Sequence, residues 1–264
     1  MRSCLVVTTY ERPDALARVL EGLATQTTWP DEVVVADDGS GLATKSVVER
    51  FAIETGRTIQ HAWQPHEGFR AGRARNLAIA RVTAEYVLLL DGDMVMHPSF
   101  VADHLAAARQ GCWVQGVRVV LDETASARLT ASGELPRAVS PGIDFKRRPY
   151  ACHAPTLSHL TRRLANGFVA IKACNQGFWR RDLVAVNGFD EAMTCWGAED
   201  KELCARLANA GIARRTLLFG GIAFHLAHPP ADRASAHANR ARWKDTVRSG
   251  RVRCEAGLDQ HRPA

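Results

Sequence analysis

No C-x-x-C pair occurs in this chain, although it carries seven cysteines, at positions 4, 112, 152, 174, 195, 204 and 254. An odd number without paired spacing excludes a disulfide framework and a zinc ribbon, and reduced cytosol is the expected compartment. No apolar stretch approaches the ~20 residues that span a bilayer. The run after Met1-Arg2-Ser3 is too short for a signal peptide, so the expectation is a soluble or peripheral protein, cytoplasmic or at the inner face of the plasma membrane. Both G-x-G-x-x-G and G-x-x-x-x-G-K-[ST] are missing, which removes a dinucleotide fold and a P-loop. Aromatic residues are scarce, at 7%, and none interleaves with basic residues as nucleic-acid readers do, so no nucleic-acid partner is expected. Positive excess is modest at +6 and is concentrated in segments 137–148, 162–163 and 233–253.

What is present is a core. At 264 residues and 46% hydrophobic, the chain has enough apolar surface for one large α/β domain of two abutting halves. Cys4–Thr8 reads as a strand and is followed by Pro13 and by Leu16, Val19, Leu20 and Leu23 at helical spacing. Glu32–Ala36 is a second strand, 42–55 a helix, 59–63 a strand and 72–82 a helix. That alternation predicts a mostly parallel central sheet flanked by helices. Tyr86–Leu90 is a strand buried on both faces; 98–109 is a helix and 112–121 a single long strand. From 122 to 166 four prolines and several glycines break the pattern, which predicts a long substrate-facing loop. A helix beginning near Glu199, a strand over 213–219 and a basic helical tail from 231 complete the reading.

Three clusters carry chemistry. Asp91 and Asp93, separated by Gly92, close the central strand; ligands bind outside the carboxyl ends of strands in open sheets, so the pair is a candidate site for a hard cation. Asp37 and Asp38 end the second strand, as ligand groups or as turn residues. Arg70, Arg73 and Arg75 enter a helix N-terminus, where cations oppose the dipole unless an anion sits among them. Further on, Trp196-Gly197 precedes Glu199-Asp200, a ring wall beside two acids, although acids in a first helical turn are favoured by the dipole alone. His225 and His228 follow the last strand, and a cation held by carboxylates often takes an imidazole as well.

Thr8-Thr9-Tyr10-Glu11-Arg12-Pro13, Asp37-Asp38-Gly39-Ser40 and Asp91-Gly92-Asp93, in this order, resemble family 2 glycosyltransferases of the GT-A fold. Asn187-Gly188-Phe189-Asp190 with Trp196-Gly197-Ala198-Glu199-Asp200 is similar to the carboxyl-terminal half of galactosyltransferases and of bacterial chondroitin-type polymerases. The resemblance implies an inverting glycosyltransferase that uses a nucleotide-sugar donor, UDP-linked, a divalent metal, Mn or Mg, and a saccharide or glycolipid acceptor in surface polysaccharide or lipopolysaccharide synthesis. It divides the chain into a donor half (1–97), an acceptor and catalytic half (98–230) and a basic tail (231–264) open to peripheral membrane contact. Donor binding would fall to Thr8, Thr9, Glu11, Arg12, Asp37, Asp38, Arg70, Arg75, Asp91 and Gly92. Asp93 and His225, with His228 as rival, would hold the metal; Asp200 would be the general base and Glu199 its partner. Trp196, Gly197 and Asn175 would meet the acceptor. The sequence departs from the family at Glu11, where asparagine is common, and at Ala198, where glycine is usual. A sugar-1-phosphate nucleotidyltransferase and a catalytically silent glycan- or membrane-binding module are the alternatives.

Overall fold

The computed structural model describes residues 1–162, 164–165, 168, 171–229 and 236–261. Three strand–helix units open the chain: β1 (Ser3–Thr9), α1 (Pro13–Ala24), β2 (Glu32–Asp37), α2 (Leu42–Thr55), β3 (Gln60–Trp63) and α3 (Ala71–Arg81). Then come β4 (Tyr86–Asp91), β5 (Met94–Met96), α4 (Phe100–Ala107), β6 (Cys112–Gln115), β7 (Val117–Val120), α5 (Glu123–Ser132), a 3-10 turn over Phe145–Ala151, α6 (Pro155–Thr161) and β8 (Leu164–Ala165). The remainder is β9 (Asn175–Trp179), α7 (Arg180–Ala185), α8 (Glu199–Asn209), β10 (Ala213–Thr216), β11 (Ile222–His225), α9 (Ala236–Ser249) and a 3-10 turn over Leu258–His261.

Eight strands form the central sheet in the order β3-β2-β1-β4-β9-β6-β10-β8. β1 to β4 are mutually parallel, β9 runs antiparallel between β4 and β6, and β10 is again parallel to β6. Alternate residues of one strand serve two cores, as a sheet covered on both faces requires. Leu5, Val7, Leu88 and Leu90 pack with α1 and the small sheet, whereas Val6, Val87 and Leu89 pack with α3 and α8. Register sets a polar edge: Thr8 pairs with Asp91 and Thr9 with Asp37, so three strand ends bring polar residues to one line.

The expected single strand over 112–121 is two strands in two sheets. β6 belongs to the central sheet and β7 to a three-stranded sheet ordered β5-β11-β7. The break falls at Gly116, where a Cβ would lie 2.1 Å from Oδ1 of Asn175. Asn175 fills that space and pins the sheets together: its amide donates to the carbonyls of Val117 and Gly221, both at 2.7 Å, and its Oδ1 lies 2.8 Å from Nε2 of the buried His104.

Two other expectations change. The 122–166 excursion contains α5, capped by Asp122, whose Oδ1 accepts from the Ala125 N–H at 2.7 Å, and it ends in α6 and β8. Arg163, Asn166 and the start of the expected tail, including Ala231 and Arg233, lie outside the described residues. Residues 236–261 of the expected basic tail pack against the rest of the fold. α9 lies on α8, with Thr246 donating to Glu202 at 2.9 Å and Arg242 paired with the fully buried Asp190, and Cys254 and Leu258 beyond it are buried. Its arginines therefore serve partly as internal partners. No helix among the described residues is long and apolar enough to cross a membrane.

Candidate active site

The strand ends face a cleft of about 720 Å³, which shares Arg75, Asp91, Arg118, Lys172, Trp196 and Glu199 as lining residues with a second of about 310 Å³. β1 and its following loop contribute Thr8, Thr9, Tyr10 and Arg12 to the larger cleft, and β4 with its turn contributes Asp91, Gly92 and Asp93. Gly92 is required by a close approach: a Cβ there would stand 2.9 Å from the Thr8 carbonyl, which accepts from the Gly92 N–H at 2.7 Å. Asp38, Arg75, Trp196, Glu199, His225 and His228 complete the set expected from sequence that reaches this cleft. Gly197 and Asp200 line the smaller one.

Arg75 joins the two ends of the site. It is buried, its Nη2 meets Asp91 Oδ1 at 2.9 Å, its Nε donates to Thr8 Oγ1 at 3.1 Å, and its Nη1 lies 3.7 Å from Glu199 Oε1. Burial opposes its charge, but Asp91 and Glu199 outweigh that and hold the guanidinium ionised.

Asp93 is the second focus. Arg12 bonds its Oδ2 at 2.8 Å, and Nε2 of His228 and of His225 stand 3.3 and 3.7 Å from the same oxygen. Burial and the neighbouring Asp91 raise Asp93 to about 6, while burial and Arg118 hold His225 down at about 3. Asp93 Oδ1 and His225 Nδ1 are buried without hydrogen-bond partners among the described residues. One carboxylate and two imidazoles offer ligand atoms all within 4.8 Å of one another. Two imidazoles, that of His225 held neutral, with a carboxylate that has an orphaned buried oxygen, fit a divalent cation. His225 and His228 thus converge as a pair rather than compete, and their H-x-x-H spacing was the available signal for the second.

Ala198, whose φ of +69° is left-handed, caps α8, whose first turn presents Glu199 and Asp200. Burial and Asp200 raise Glu199 to about 7, against Arg75. Burial also raises Asp200, but its carboxylate accepts from the main-chain N–H of Lys201 at 2.7 Å and of Ala173 at 3.3 Å, which favours its ionised form. Of this pair Asp200 is the better-supported anion and Glu199 the better proton carrier.

Four expected ligand residues lie elsewhere. Asn175 is fully buried as the pin between sheets and does not reach either cleft, because its amide is consumed by backbone carbonyls. Asp37 is fully buried, with His61 on one oxygen and the Ser40 N–H on the other, both at 2.8 Å; these partners hold it below the usual carboxylate range against its burial. Its neighbour Asp38 is the one that faces the cleft, and burial raises it although Arg70 N–H and Gln64 bond its oxygens at 2.7 and 2.6 Å. Glu11 turns to the Gly41 N–H at 2.8 Å, and Arg70 turns its guanidinium to Glu67 at 2.6 Å. Sequence reasoning did not single out the Tyr10–His66 stack at 4.3 Å, Arg118 or Lys172, which line the clefts as isolated residues in sequence.

Two family models tile the chain: Glycosyl transferase family 2 over residues 4–163 and the N-terminal domain of galactosyltransferase over 164–229. Chondroitin synthase of Escherichia coli is 29% identical over 246 residues, covering 85% of this chain but 34% of that protein, so the chain spans about a third of that relative's length. A mannosyltransferase of Pyrobaculum calidifontis in complex with GDP-Man and Mn2+ superposes with a TM-score of 0.59 at 20% identity, over 94% of this chain and 62% of that one. TarS 1-349 of S. aureus in complex with UDP-GlcNAc gives 0.64 at 16% identity, over 99% and 69%. Identities this low speak for the fold alone, which is GT-A, while the model spanning well over half the sequence places the protein in glycosyl transferase family 2.

Proposed function

We propose that the protein is a metal-dependent inverting glycosyltransferase that moves a sugar from a nucleotide-sugar, UDP-linked, to a hydroxyl of a saccharide or glycolipid acceptor in surface polysaccharide or lipopolysaccharide synthesis. The observation that carries this reading is the wall that the two clefts share: the Asp93–His225–His228 group lines one, Asp200 lines the other, and the Arg75–Asp91 pair lines both. A divalent cation, Mn or Mg, held by Asp93, His225 and His228 would supply positive charge for a diphosphate leaving group. The Mn2+ and GDP-Man of the Pyrobaculum mannosyltransferase and the UDP-GlcNAc of TarS support a nucleotide-sugar partner on this fold.

The chain's own residues then have distinct tasks. Asp38, Thr9 and the Tyr10–His66 stack take the nucleoside, with the half up to residue 97 supplying most of this pocket. Arg75 holds Asp91 at the floor, and Trp196 forms a wall shared by both sugars. Asp200 accepts the proton of the attacking hydroxyl as that oxygen bonds the anomeric carbon; the bond from that carbon to the diphosphate breaks, and the nucleoside diphosphate leaves with the electron pair. Glu199, protonated below about 7, donates to a sugar oxygen. One base opposite one leaving group gives inversion.

Calorimetric titration with UDP, GDP, CDP and dTDP, each with and without manganese, tests the donor half. UDP binding only with the metal, abolished by Asp93→Ala and retained by Asp200→Asn, is the expected result. Absence of binding by every nucleotide would sink the proposal.

A further inference from the structure

The smaller cleft holds more positive charge than its carboxylates answer. Arg75, on the shared wall, is matched to Asp91 at 2.9 Å and Glu199 at 3.7 Å. Arg118 also acts on Asp93 of the larger cleft, whose ionised form its charge favours, which leaves Lys172, Lys201 and Arg240 against Asp200, whose oxygens accept from the main-chain N–H groups of Lys201 and Ala173. Among the described residues Arg118, Lys172 and Arg240 form no ion pair, Arg118 Nε is buried without a partner, and Lys201 rests 5.0 Å above the Trp243 ring. Like charges gathered in a partly enclosed cleft repel one another unless an anion enters. The donor diphosphate does not account for all of them. Arg118 and Lys172 line both clefts, but Lys201 and Arg240 line only the smaller one.

The same cleft is built for a ring. Trp196 and Trp243 both line it, and the buried Trp243 Nε1 has no acceptor among the described residues. Its volume of about 310 Å³ is at the small end of ligand clefts, which run to roughly 1,000 Å³. Indole rings beside cations that have no carboxylate partner, one of them Lys201 over Trp243, suit a sugar that carries a charged substituent rather than a plain hexose or a bare ion.

We infer that the acceptor is an anionic saccharide, and that Lys172, Lys201 and Arg240 bind a carboxylate or phosphate ester on the sugar ring that presents its hydroxyl to Asp200. This rests on the reading of the larger cleft as the donor site. It explains why α9, which lies in a segment that looks like a solvated basic tail, is folded back onto α8: Arg240 and Trp243 form one side of the acceptor pocket.

The test is a ligand-observed NMR titration of the full chain, with and without UDP and manganese, using methyl glucuronide, methyl glucoside and glucose 6-phosphate. At least one anionic probe should bind about tenfold or more tightly than methyl glucoside, the margin of one charge-assisted contact. Arg240→Gln and Lys201→Gln, both at the cleft surface, should each erase most of that margin while leaving UDP affinity unchanged; Lys201→Gln serves if the first variant fails to fold. Preference for glucuronide identifies a carboxylate, and preference for the phosphate ester identifies a phosphate. Equal affinity for all three probes overturns the inference even if UDP binds normally. Loss of UDP binding, by contrast, would overturn the donor reading, and the anion margin measured without UDP would still decide this one.

Discussion

Replacing Arg75 with methionine should destabilise the protein by an amount that grows with pH. The guanidinium is buried among Asp91 at 2.9 Å, Thr8 at 3.1 Å and Glu199 at 3.7 Å, and it is the cation that serves all three. Methionine keeps much of the volume and removes the charge. Glu199 is raised to about 7 in the folded protein, from an ordinary 4.5, with Arg75 pulling it down. A carboxyl whose folded pKa is raised contributes its stabilisation below its unfolded pKa and loses it as pH climbs through the folded value. Without Arg75 that folded value moves higher still, so the variant suffers more than the wild type on the alkaline side. At pH 5.5 Glu199 is neutral and the loss is the bonds to Asp91 and Thr8, about 1–3 kcal/mol. At pH 8.5 the ionised, mostly buried Glu199 is left beside the partly exposed Asp91 without their shared cation, and the loss should reach about 3–5 kcal/mol. Urea denaturation followed by tryptophan fluorescence at both pH values measures the difference. An equal loss at the two pH values, or a smaller one at 8.5, would show that Arg75 does not hold Glu199 and refute the electrostatic account of the site.

Asp200→Asn should cut turnover by about 10²–10⁴-fold while nucleotide binding persists, and the wild-type rate should fall on acidification with a midpoint above the ordinary carboxylate range, since burial raises the base Asp200. A midpoint near 4 would count against the buried pair. Asn175→Ala strands two carbonyls and the His104 ring, and three lost hydrogen bonds amount to roughly 3–4 kcal/mol, read as a lowered midpoint in thermal unfolding. Were Asn175 an acceptor ligand instead, the variant would lose activity at unchanged stability. Ala198→Gly relieves a left-handed φ of +69° that costs about 1–2 kcal/mol for a residue with a Cβ, offset by about 0.5–1 kcal/mol of unfolded-chain entropy. A small gain in stability is expected, and a clear loss would mean that the Cβ packs usefully.

How much of this molecule can be read from its sequence depends on where each residue's partner lies. β1, β2 and β4 are visible because both their faces are apolar and each ends abruptly in polar residues, so strand, sheet edge and candidate ligands share one signal. Helices α1 and α2 are equally plain from spacing. β9 is not, because Asn175 and Gln176 are fully buried polar residues in a central strand, and periodicity arguments take polar residues as outward-facing. What makes them tolerable inside is a set of partners that sequence does not bring near: His104 lies 71 positions away and Val117 lies 58. The division of 112–121 into two sheets has the same origin, since Gly116 marks a strand break only once the Asn175 side chain is known to occupy its missing Cβ. The acids followed the opposite course. Asp91, Asp93, Glu199 and Asp200 stand adjacent or nearly so on element ends, where geometry follows from the element itself, whereas Arg118 and Lys172 come singly from a strand and a connection and acquire meaning only when the sheet closes around them. Local order thus exposes the paired carboxylates and hides the single cations that meet them in the clefts, which is why the proposed acceptor has to be argued from the folded cleft.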